Sequence, residues 1–346
     1  MKVLVTGAAG FIAGYLVPEL LNQGYEVIGL DDFSKYGYTE RSYDGHPGYR
    51  FVYGDATDVD MVTALALQVD HFIPIAAKIG GIGYFHAYPY DLLAGNERIT
   101  AAAADAAKAA YQAGRLKKVT WVSSSMVYES ATREQMPSKE GDEREIAPPR
   151  SSYGFSKLAV EYFAKALEEQ YGTPYTILRP FNCVGTGEAG LVQGSNDSHG
   201  IGGGPGNLEL GMSHVVPDLV KKVLQGQDPL HILGTGQQVR HYTYGGDLAK
   251  GIALSLEHPD AVNEDFNLSS DKPTRVLELA WLVSLMITGK EPRIEHDEPF
   301  EHDVQWRMPD TSKAKKLLGF EARTPLAVML NIVIPWVKQA MADGKL

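Results

Sequence analysis

Short apolar runs alternate with helical patterns through the first half of the chain. The apolar runs predict buried strands at 2–6, 26–30, 49–54, 71–77, 118–124 and 174–181. Apolar residues at helical spacing predict helices between them, at 11–23, 58–68, 96–114 and 153–171. Strands and helices that alternate in this way form a parallel sheet covered on both faces. We therefore predict an α/β fold built on a doubly wound parallel sheet.

The pattern changes after residue 183. Residues 185–207 are rich in glycine and polar side chains and predict a long loop, which in a compact protein is usually functional or mobile. Beyond this loop, the pattern predicts a strand at 230–233 and helices at 214–225, 274–287, 311–318 and 325–342. These later elements indicate a smaller C-terminal part.

Composition narrows the class of protein. The chain has 346 residues, 44% of them hydrophobic and 22% charged, as in ordinary globular proteins. Its net charge of −11 argues against binding to nucleic acid or to an anionic membrane. Cys183 is the single cysteine, no apolar run approaches the ~20 residues that span a bilayer, and residues 1–7 do not resemble a secretion signal. We therefore expect a cytoplasmic enzyme or binding protein.

Glycines lie between the first predicted strand and the first predicted helix. Gly7 and Gly10 allow a sharp turn that brings the backbone close to a pyrophosphate, whose charge the helix N-terminus favours. The second predicted strand leads into Asp31 and Asp32. A carboxylate there can accept both hydroxyl groups of an adenosine ribose and repels a 2′-phosphate. The sequence therefore favours NAD over NADP as cofactor.

A Tyr–Lys pair one helical turn apart lies in SSYGFSK, residues 151–157. Together with TGAAGFIAG, GDATD, AAKIGGI, VSSSMVY and RPFN, in this order, the segment makes the chain resemble the extended short-chain dehydrogenase/reductase family. The resemblance continues through GTGQQVRHYTYGGDLAKGI and PDTSKAKKLLGF, so it spans nearly the whole chain. Members of this family are mostly nucleotide-sugar epimerases, dehydratases, decarboxylases and reductases.

The resemblance implies a Rossmann-type NAD-binding domain and a smaller C-terminal α/β domain that binds a nucleotide-diphosphate sugar. The first would comprise 1–182 plus about 240–267, and the second 183–239 plus about 268–346. The family requires no metal. It implies these cofactor-binding residues: Gly7, Gly10, Phe11, Ile12, Asp31, Asp32, Asp55, Ala56, Ala76, Ala77, Lys78, Asn96, Ser123, Tyr153, Lys157 and Pro180.

Ser124, Tyr153 and Lys157 match the catalytic residues of the family. The resemblance implies that Tyr153 acts as base when a sugar alcohol is oxidised and as acid when it is reduced, while Ser124 orients the reacting oxygen. A free tyrosine has a pKa of ~10, and we expect the Lys157 ammonium and the positive nicotinamide to lower it. The family pattern implies these substrate-binding residues: Gly81, Ser124, Ser125, Met126, Asn182, His214, Val215, Leu219, Lys222, Arg240 and Arg307.

Met126 distinguishes the reactions known in the family. The branch of GDP-fucose synthase and GDP-mannose 3,5-epimerase, which the chain resembles most, has a cysteine at this position and a downstream histidine or lysine that matches His214. Dehydratases and decarboxylases commonly have glutamate there. Methionine carries no transferable proton. The 4-epimerases generally have Ser or Thr at this position, so methionine is unusual among them too, but 4-epimerisation requires proton transfer only at Tyr153. We therefore predict an NAD-dependent nucleotide-sugar epimerase that acts through C4.

Two other functions stay open. His214 and AAKIGGI favour a 4-keto-deoxy-sugar reductase or a 3,5-epimerase(-reductase), and a non-catalytic NAD-binding protein is the third hypothesis. The sequence does not identify the nucleotide or the sugar. In relatives, the helices that match 96–114 and 153–171 pair between subunits, so the resemblance also implies a homodimer.

Overall fold

A parallel seven-stranded sheet forms the centre of the computed structural model, which describes residues 1–38, 40–80, 87–188, 214–299 and 304–346. In spatial order its strands are β3 (Tyr49–Tyr53), β2 (Glu26–Asp31), β1 (Lys2–Thr6), β4 (His71–Pro74), β5 (Lys118–Val122), β6 (Tyr175–Pro180) and β11 (Glu264–Leu268). Every neighbouring pair is parallel. The strands run outward from β1 through β2 to β3 on one side, and from β4 through β5 and β6 to β11 on the other. The point where the strand order switches direction therefore lies between β1 and β4. The predicted fold class is confirmed.

Helices cover both faces of this sheet. The first face carries α1 (Ala13–Asn22), α6 (Gly245–Glu257) and α8 (Ser312–Leu318). The second face carries α2 (Val59–Ala66), α3 (Pro89–Gln112) and α4 (Ser152–Tyr171). Buried alanines such as Ala103, Ala107 and Ala110 allow α3 to pack closely against its neighbours, because a methyl group keeps helix axes near each other.

The smaller C-terminal part has an apolar core of its own. It is formed by α5 (Val215–Leu224), α7 (Val276–Thr288) and α9 (Leu326–Ala342). Three short strand pairs lie around it or join it to the sheet: β7 (Cys183–Val184) with β10 (Thr243–Tyr244), β9 (Val239–His241) with β12 (Pro273–Arg275), and β8 (Leu230–Leu233) with β13 (Ile294–Asp297). The proposed domain boundaries stay a prediction.

The structure corrects several predicted boundaries. The strand expected at 71–77 ends at Pro74, and the helix expected at 96–114 begins at Pro89, where a proline costs no helical hydrogen bond. The sequence patterns did not predict α6 or β11 as elements. Only the last three residues of β11 are buried, so this edge strand lacks a long apolar run. Most of the predicted loop 185–207 lies outside the described residues.

A buried ion cluster supports the carboxyl ends of the central strands. Arg179 of β6 forms a two-pronged pair with Glu161 of α4, at 2.6 and 2.7 Å, and also contacts Asp265 of β11 at 2.8 Å. Glu161 in turn accepts a hydrogen bond of 2.7 Å from Ser123, which follows β5. The cluster therefore ties three strands and the helix that carries Tyr153 into one unit.

Candidate active site

A cavity of about 1570 Å³ opens along the carboxyl ends of the strands, at the switch point between β1 and β4. Ligands of open α/β sheets bind at such points. Every predicted site residue within the described part of the chain lines this cavity, with the exception of Asn96. Gly81 lies outside the described residues. The structure therefore brings the predicted cofactor and substrate residues into one space.

The turn after β1 contains glycines that allow backbone segments, and a ligand in the cavity, to approach closely. Gly7 has a φ of 72° and its N–H donates to Leu30 O at 2.8 Å. A Cβ on Gly7 would lie 2.8 Å from the Cα of Ala76, and one on Gly10 would lie 2.9 Å from Gly7 O. The residues that precede α1 line the cavity, and Ile12 at its N-cap provides no capping side chain. This cradle at a helix N-terminus fits a pyrophosphate.

Asp31, at the end of β2, is fixed by backbone donors. Its carboxylate accepts hydrogen bonds from Ala9 N at 3.0 Å and Phe33 N at 2.7 Å. Burial raises the pKa of Asp31, although these two hydrogen bonds oppose the rise. The neighbouring Asp32 accepts from Ser34 N at 2.9 Å. A carboxylate held in this position fits the two hydroxyl groups of an adenosine ribose, so this end of the cavity fits NAD.

Asn96 has a different position from the one expected. It is buried on α3, where its Oδ1 accepts from Lys78 N at 2.7 Å and its Nδ2 donates to Lys78 O at 3.0 Å. Asn96 therefore lies behind the cavity wall and holds the segment after β4. Residues 75–80, part of which was predicted as strand, instead run along the cavity.

Tyr153 and Lys157 lie on the first two turns of α4. Ser151 caps this helix by accepting from Gly154 N at 3.0 Å, and its hydroxyl donates to Glu129 Oε2 at 2.7 Å. Tyr153 is buried and forms a hydrogen bond with Ser124. The Nζ of Lys157 lies 5.8 Å from the centre of the Tyr153 ring and donates to Val122 O at 3.0 Å.

Burial dominates the electrostatics of this pair. Burial raises the pKa of Tyr153 to about 12, and the Ser124 hydrogen bond and the charge of Arg307 only partly oppose it. Burial also lowers the pKa of Lys157 to about 8. Arg307 is therefore a protein cation whose charge favours the phenolate of Tyr153. Its guanidinium contacts the sulfur of Met126 and lies 3.4 Å from Asn182 Oδ1.

The far end of the cavity is rich in cations. Lys222 forms a 3.0 Å pair with Asp218 and donates to His231 O at 3.2 Å, while Arg240 lies on β9. In all, eight Lys and Arg residues and six Asp and Glu residues line the cavity, although the chain as a whole has a net charge of −11. A local excess of positive charge favours anionic ligands such as diphosphates.

A family model described as "NAD dependent epimerase/dehydratase family" matches residues 3–269, which is more than half of the chain. The chain belongs to this family. The match covers both the Asp31 end and the Tyr153–Lys157 pair. Because the family is NAD-dependent and the residues at the Asp31 end fit the dinucleotide, NAD is its cofactor.

Relatives within the epimerase/dehydratase family differ in reaction. An uncharacterized UDP-glucose epimerase of Bacillus subtilis, YtcB, is 28% identical, with 94% of each chain covered. UDP-glucuronic acid decarboxylase 1 of Danio rerio is 26% identical over 98% of this chain and 73% of the relative. The crystal structure of UDP-glucose 4-epimerase from Thermotoga maritima with UDP-glucose has a TM-score of 0.78 at 26% identity and covers 99% and 100% of the two chains. These comparisons show a nucleotide-sugar enzyme family rather than one reaction.

Two negative findings apply to the described residues of this family member. None of its described helices is long and apolar enough to cross a membrane. Within the same residues, no group of three or more His, Cys, Asp or Glu side chains is arranged to hold a metal ion.

Some cavity residues of this epimerase/dehydratase were missed by the sequence analysis. Phe33, Lys35 and Tyr36 extend the cofactor end beyond Asp32. They follow the second strand directly, and this position in the sequence could have identified them as residues of the cofactor end. Glu129, which lines the cavity, and Glu188, which lies outside its lining, gave no such signal, because each is hydrogen-bonded to a residue distant in sequence.

Proposed function

We propose that the protein is an NAD-dependent nucleotide-sugar epimerase that acts through C4 of the sugar. The observation that carries this proposal is the placement of Met126 beside Arg307 and in the same cavity as Tyr153. The two-base 3,5-epimerases, the dehydratases and the decarboxylases of the family commonly have a proton-transferring side chain at the Met126 position, which a thioether cannot provide. Epimerisation at C4 through a 4-keto sugar requires proton transfer only at Tyr153.

Each catalytic side chain has a separate task in this proposal. Tyr153 takes the C4 hydroxyl proton and later returns it, and Ser124 orients the same oxygen. Burial raises the pKa of Tyr153 to about 12 even with the Ser124 hydrogen bond and the Arg307 charge in place, so a further positive charge is needed to favour the phenolate. NAD, when bound, supplies the hydride acceptor and a positive nicotinamide. Return of the hydride to the opposite face of the keto sugar would invert C4.

The substrate is proposed to be a nucleoside-diphosphate sugar. Arg240 and Lys222 line the far end of the cavity and offer positive charge to a diphosphate. The sugar would then lie beside Tyr153, between these cations and the cofactor end. The Thermotoga maritima relative was solved with UDP-glucose, which supports this class of substrate.

A second candidate is 3,5-epimerisation, with or without reduction. It is favoured by His214, which lines the cavity and is paired with Glu188. Met126 opposes it, because the second proton carrier is missing there. The same argument opposes decarboxylation, the activity named for the Danio rerio relative.

One NMR experiment separates these reactions. UDP-, GDP-, dTDP- and CDP-sugars are incubated with the enzyme and NAD in D2O, without added reductant. We expect one sugar to give its C4 epimer with no deuterium incorporated. Deuterium at C3 or C5 would replace this proposal with two-base epimerisation, and conversion only after addition of NADPH would indicate a reductase.

A further inference from the structure

Glu129 is a carboxylate of the cavity wall to which the proposed reaction gives no task. It directly follows the short 3-10 helix Ser125–Tyr128, which comes after β5, and it lines the cavity together with Ser151. Its Oε2 accepts hydrogen bonds from Ser151 N at 3.1 Å and from Ser151 Oγ at 2.7 Å. Glu129 therefore joins this 3-10 helix to the residue that caps α4.

The same 3-10 helix carries the hydrogen-bond partner of Tyr153. Ser124 is its N-cap residue, and Ser124 Oγ accepts from Met126 N at 3.2 Å. At the other end, Glu129 N donates to Met126 O at 3.1 Å. The Ser124 hydroxyl and the Glu129 carboxylate therefore belong to one short turn that is held by its own hydrogen bonds.

Ser151 connects Glu129 with the first turn of α4. Its hydroxyl donates to Glu129 and at the same time accepts from Gly154 N at 3.0 Å. Hydrogen bonds in such a chain strengthen one another, and the dipole of a helix favours a carboxylate near its N-terminus. Tyr153 lies between Ser151 and Gly154 in the sequence, so these contacts also fix its position.

Gly154 allows the 3-10 helix and α4 to lie close together. A Cβ at this position would be 2.7 Å from Glu129 Oε2 and 3.0 Å from Met126 O. The φ of Gly154 is outside the left-handed region, so the backbone conformation does not require glycine here. Glycine is otherwise unfavourable within a helix. The close approach of Glu129 to the start of α4 therefore accounts for the glycine.

The Ser124–Tyr153 hydrogen bond spans the gap between these two segments. Burial raises the pKa of Tyr153, while the Ser124 hydrogen bond and the Arg307 charge lower it. Lys157, whose Nζ lies 5.8 Å from the centre of the Tyr153 ring, belongs to α4 and would move with it. Displacement of α4 from Ser124 or from Arg307 would therefore raise the pKa of Tyr153 further.

We propose that Glu129 is a positioning residue for Tyr153. Through Ser151 it fixes the start of α4 against the 3-10 helix, and this contact sets the distance between Ser124 and Tyr153. The proposal rests on the proposed function in one respect, namely that Tyr153 exchanges the proton of the substrate. It assigns Glu129 no contact with the reacting atoms.

The ionisation of Tyr153 is measurable without turnover. In NAD-bound protein labelled with 13C at tyrosine Cζ, NMR follows each tyrosine with pH, and Tyr153→Phe identifies the signal of Tyr153. We expect Glu129→Leu to move the titration midpoint of Tyr153 upward by about one pH unit, the scale of one hydrogen bond to a charged group. Glu129→Gln should stay close to the wild type, because its amide oxygen still accepts from Ser151. Both variants lack the charge, so their difference isolates the hydrogen bond.

Turnover of the nucleotide sugar gives a second readout. Glu129→Leu should lower kcat about 10- to 100-fold, the scale of a displaced reacting group, and should change KM little. Because the phenolate of Tyr153 is the base in the oxidation step, the rising limb of the pH–rate profile should move to higher pH together with the NMR midpoint. Glu129→Gln should recover most of the rate.

Glu278→Leu is the matched control. Glu278 also lies at the start of a helix, α7, where its Oε2 accepts from Arg275 N at 2.9 Å, but it is exposed and does not line the cavity. It should leave the midpoint of Tyr153 and kcat unchanged. If Glu129→Leu does not fold, as judged by thermal unfolding, Ser151→Ala replaces it, because this change removes the hydroxyl that connects Glu129 with α4.

A wild-type midpoint for Tyr153 in Glu129→Leu would overturn the proposal. An equal change in Glu129→Gln would also overturn it, because the charge and not the hydrogen bond would then be responsible. A raised KM with wild-type kcat and midpoint would make Glu129 a substrate-binding residue instead. Absence of the C4 reaction in the wild-type protein would contradict the proposed function alone, because the NMR titration needs no substrate.

Discussion

Burial, a hydrogen bond and a nearby charge have opposing effects on the pKa of Tyr153. Burial favours the neutral phenol and raises the pKa of Tyr153 to about 12, which is above the value of an exposed tyrosine. The hydrogen bond from Ser124 and the charge of Arg307 favour the phenolate, but burial outweighs them. The protein alone therefore stabilises Tyr153 as an acid, and the positive nicotinamide is needed to make it a base.

Replacement of Tyr153 by Phe tests this role. We expect turnover of the nucleotide sugar to fall by about 10²- to 10⁴-fold, the usual contribution of a positioned acid or base. NAD binding should persist, because the ring and Lys157 remain in place. Activity is measured by NMR and NAD binding by calorimetry. Tyr162→Phe, on an exposed part of the same helix, is the control; equal activity in the two variants would remove Tyr153 from the mechanism.

At the scale of elements, the turn between β1 and α1 depends on contact with the segment after β4. Gly7 lies against the backbone of Ala76, which cannot move without disturbing the cavity wall that Asn96 holds. Gly24 also has a positive φ, of 84°, but a Cβ there would have no neighbour within 4 Å. A Cβ on Gly24 would therefore cause backbone strain alone, whereas a Cβ on Gly7 would cause backbone strain and a clash with Ala76.

We predict that Gly24→Ala destabilises the protein by about 1–2 kcal/mol, the cost of a left-handed residue with a Cβ. Gly7→Ala should cost about 1–3 kcal/mol more, as overpacking does, and should abolish NAD binding. Urea denaturation and NAD titration measure the two effects. Equal stability of the two variants, with NAD binding intact, would contradict the role given to the Gly7 turn.

The sequence patterns predicted most of the sheet strands and helices and the residues of the cofactor end, because both depend on residues that are close together in the sequence. Mostly apolar runs mark the strands of the sheet except β11, although β3 contains Arg50 and is not buried as predicted. Gly7, Gly10 and Asp31 lie at fixed places beside these strands. The contact between Glu188 and His214 could not be predicted from sequence patterns, because 26 positions separate the two residues. The effect of Arg307 on Tyr153 was equally hidden, because it depends on packing between the two parts of the chain.

At the scale of the whole molecule, several exposed aromatic side chains lie on α3 and α4. Phe155 and Tyr162 lie two turns apart on one face of α4, with 48% and 68% of their surface exposed, and Tyr90 at the start of α3 is 74% exposed. Large apolar side chains grouped on adjacent helices are typical of a surface that another subunit covers. The homodimer implied by the family resemblance would use this surface.

We predict that the protein sediments as a dimer at micromolar concentration and that Tyr162→Asp dissociates it, because the dimer would otherwise bury an unpaired carboxylate. Trp281→Asp is the matched control, since Trp281 is an aromatic residue with 46% exposure on α7, away from α3 and α4. It should leave the dimer intact. A wild-type monomer, or a dimer that resists Tyr162→Asp and dissociates with Trp281→Asp, would show that the subunits do not meet through α3 and α4. Loss of the dimer with catalysis retained would further show that each subunit holds a complete site, as a cavity formed by one chain implies.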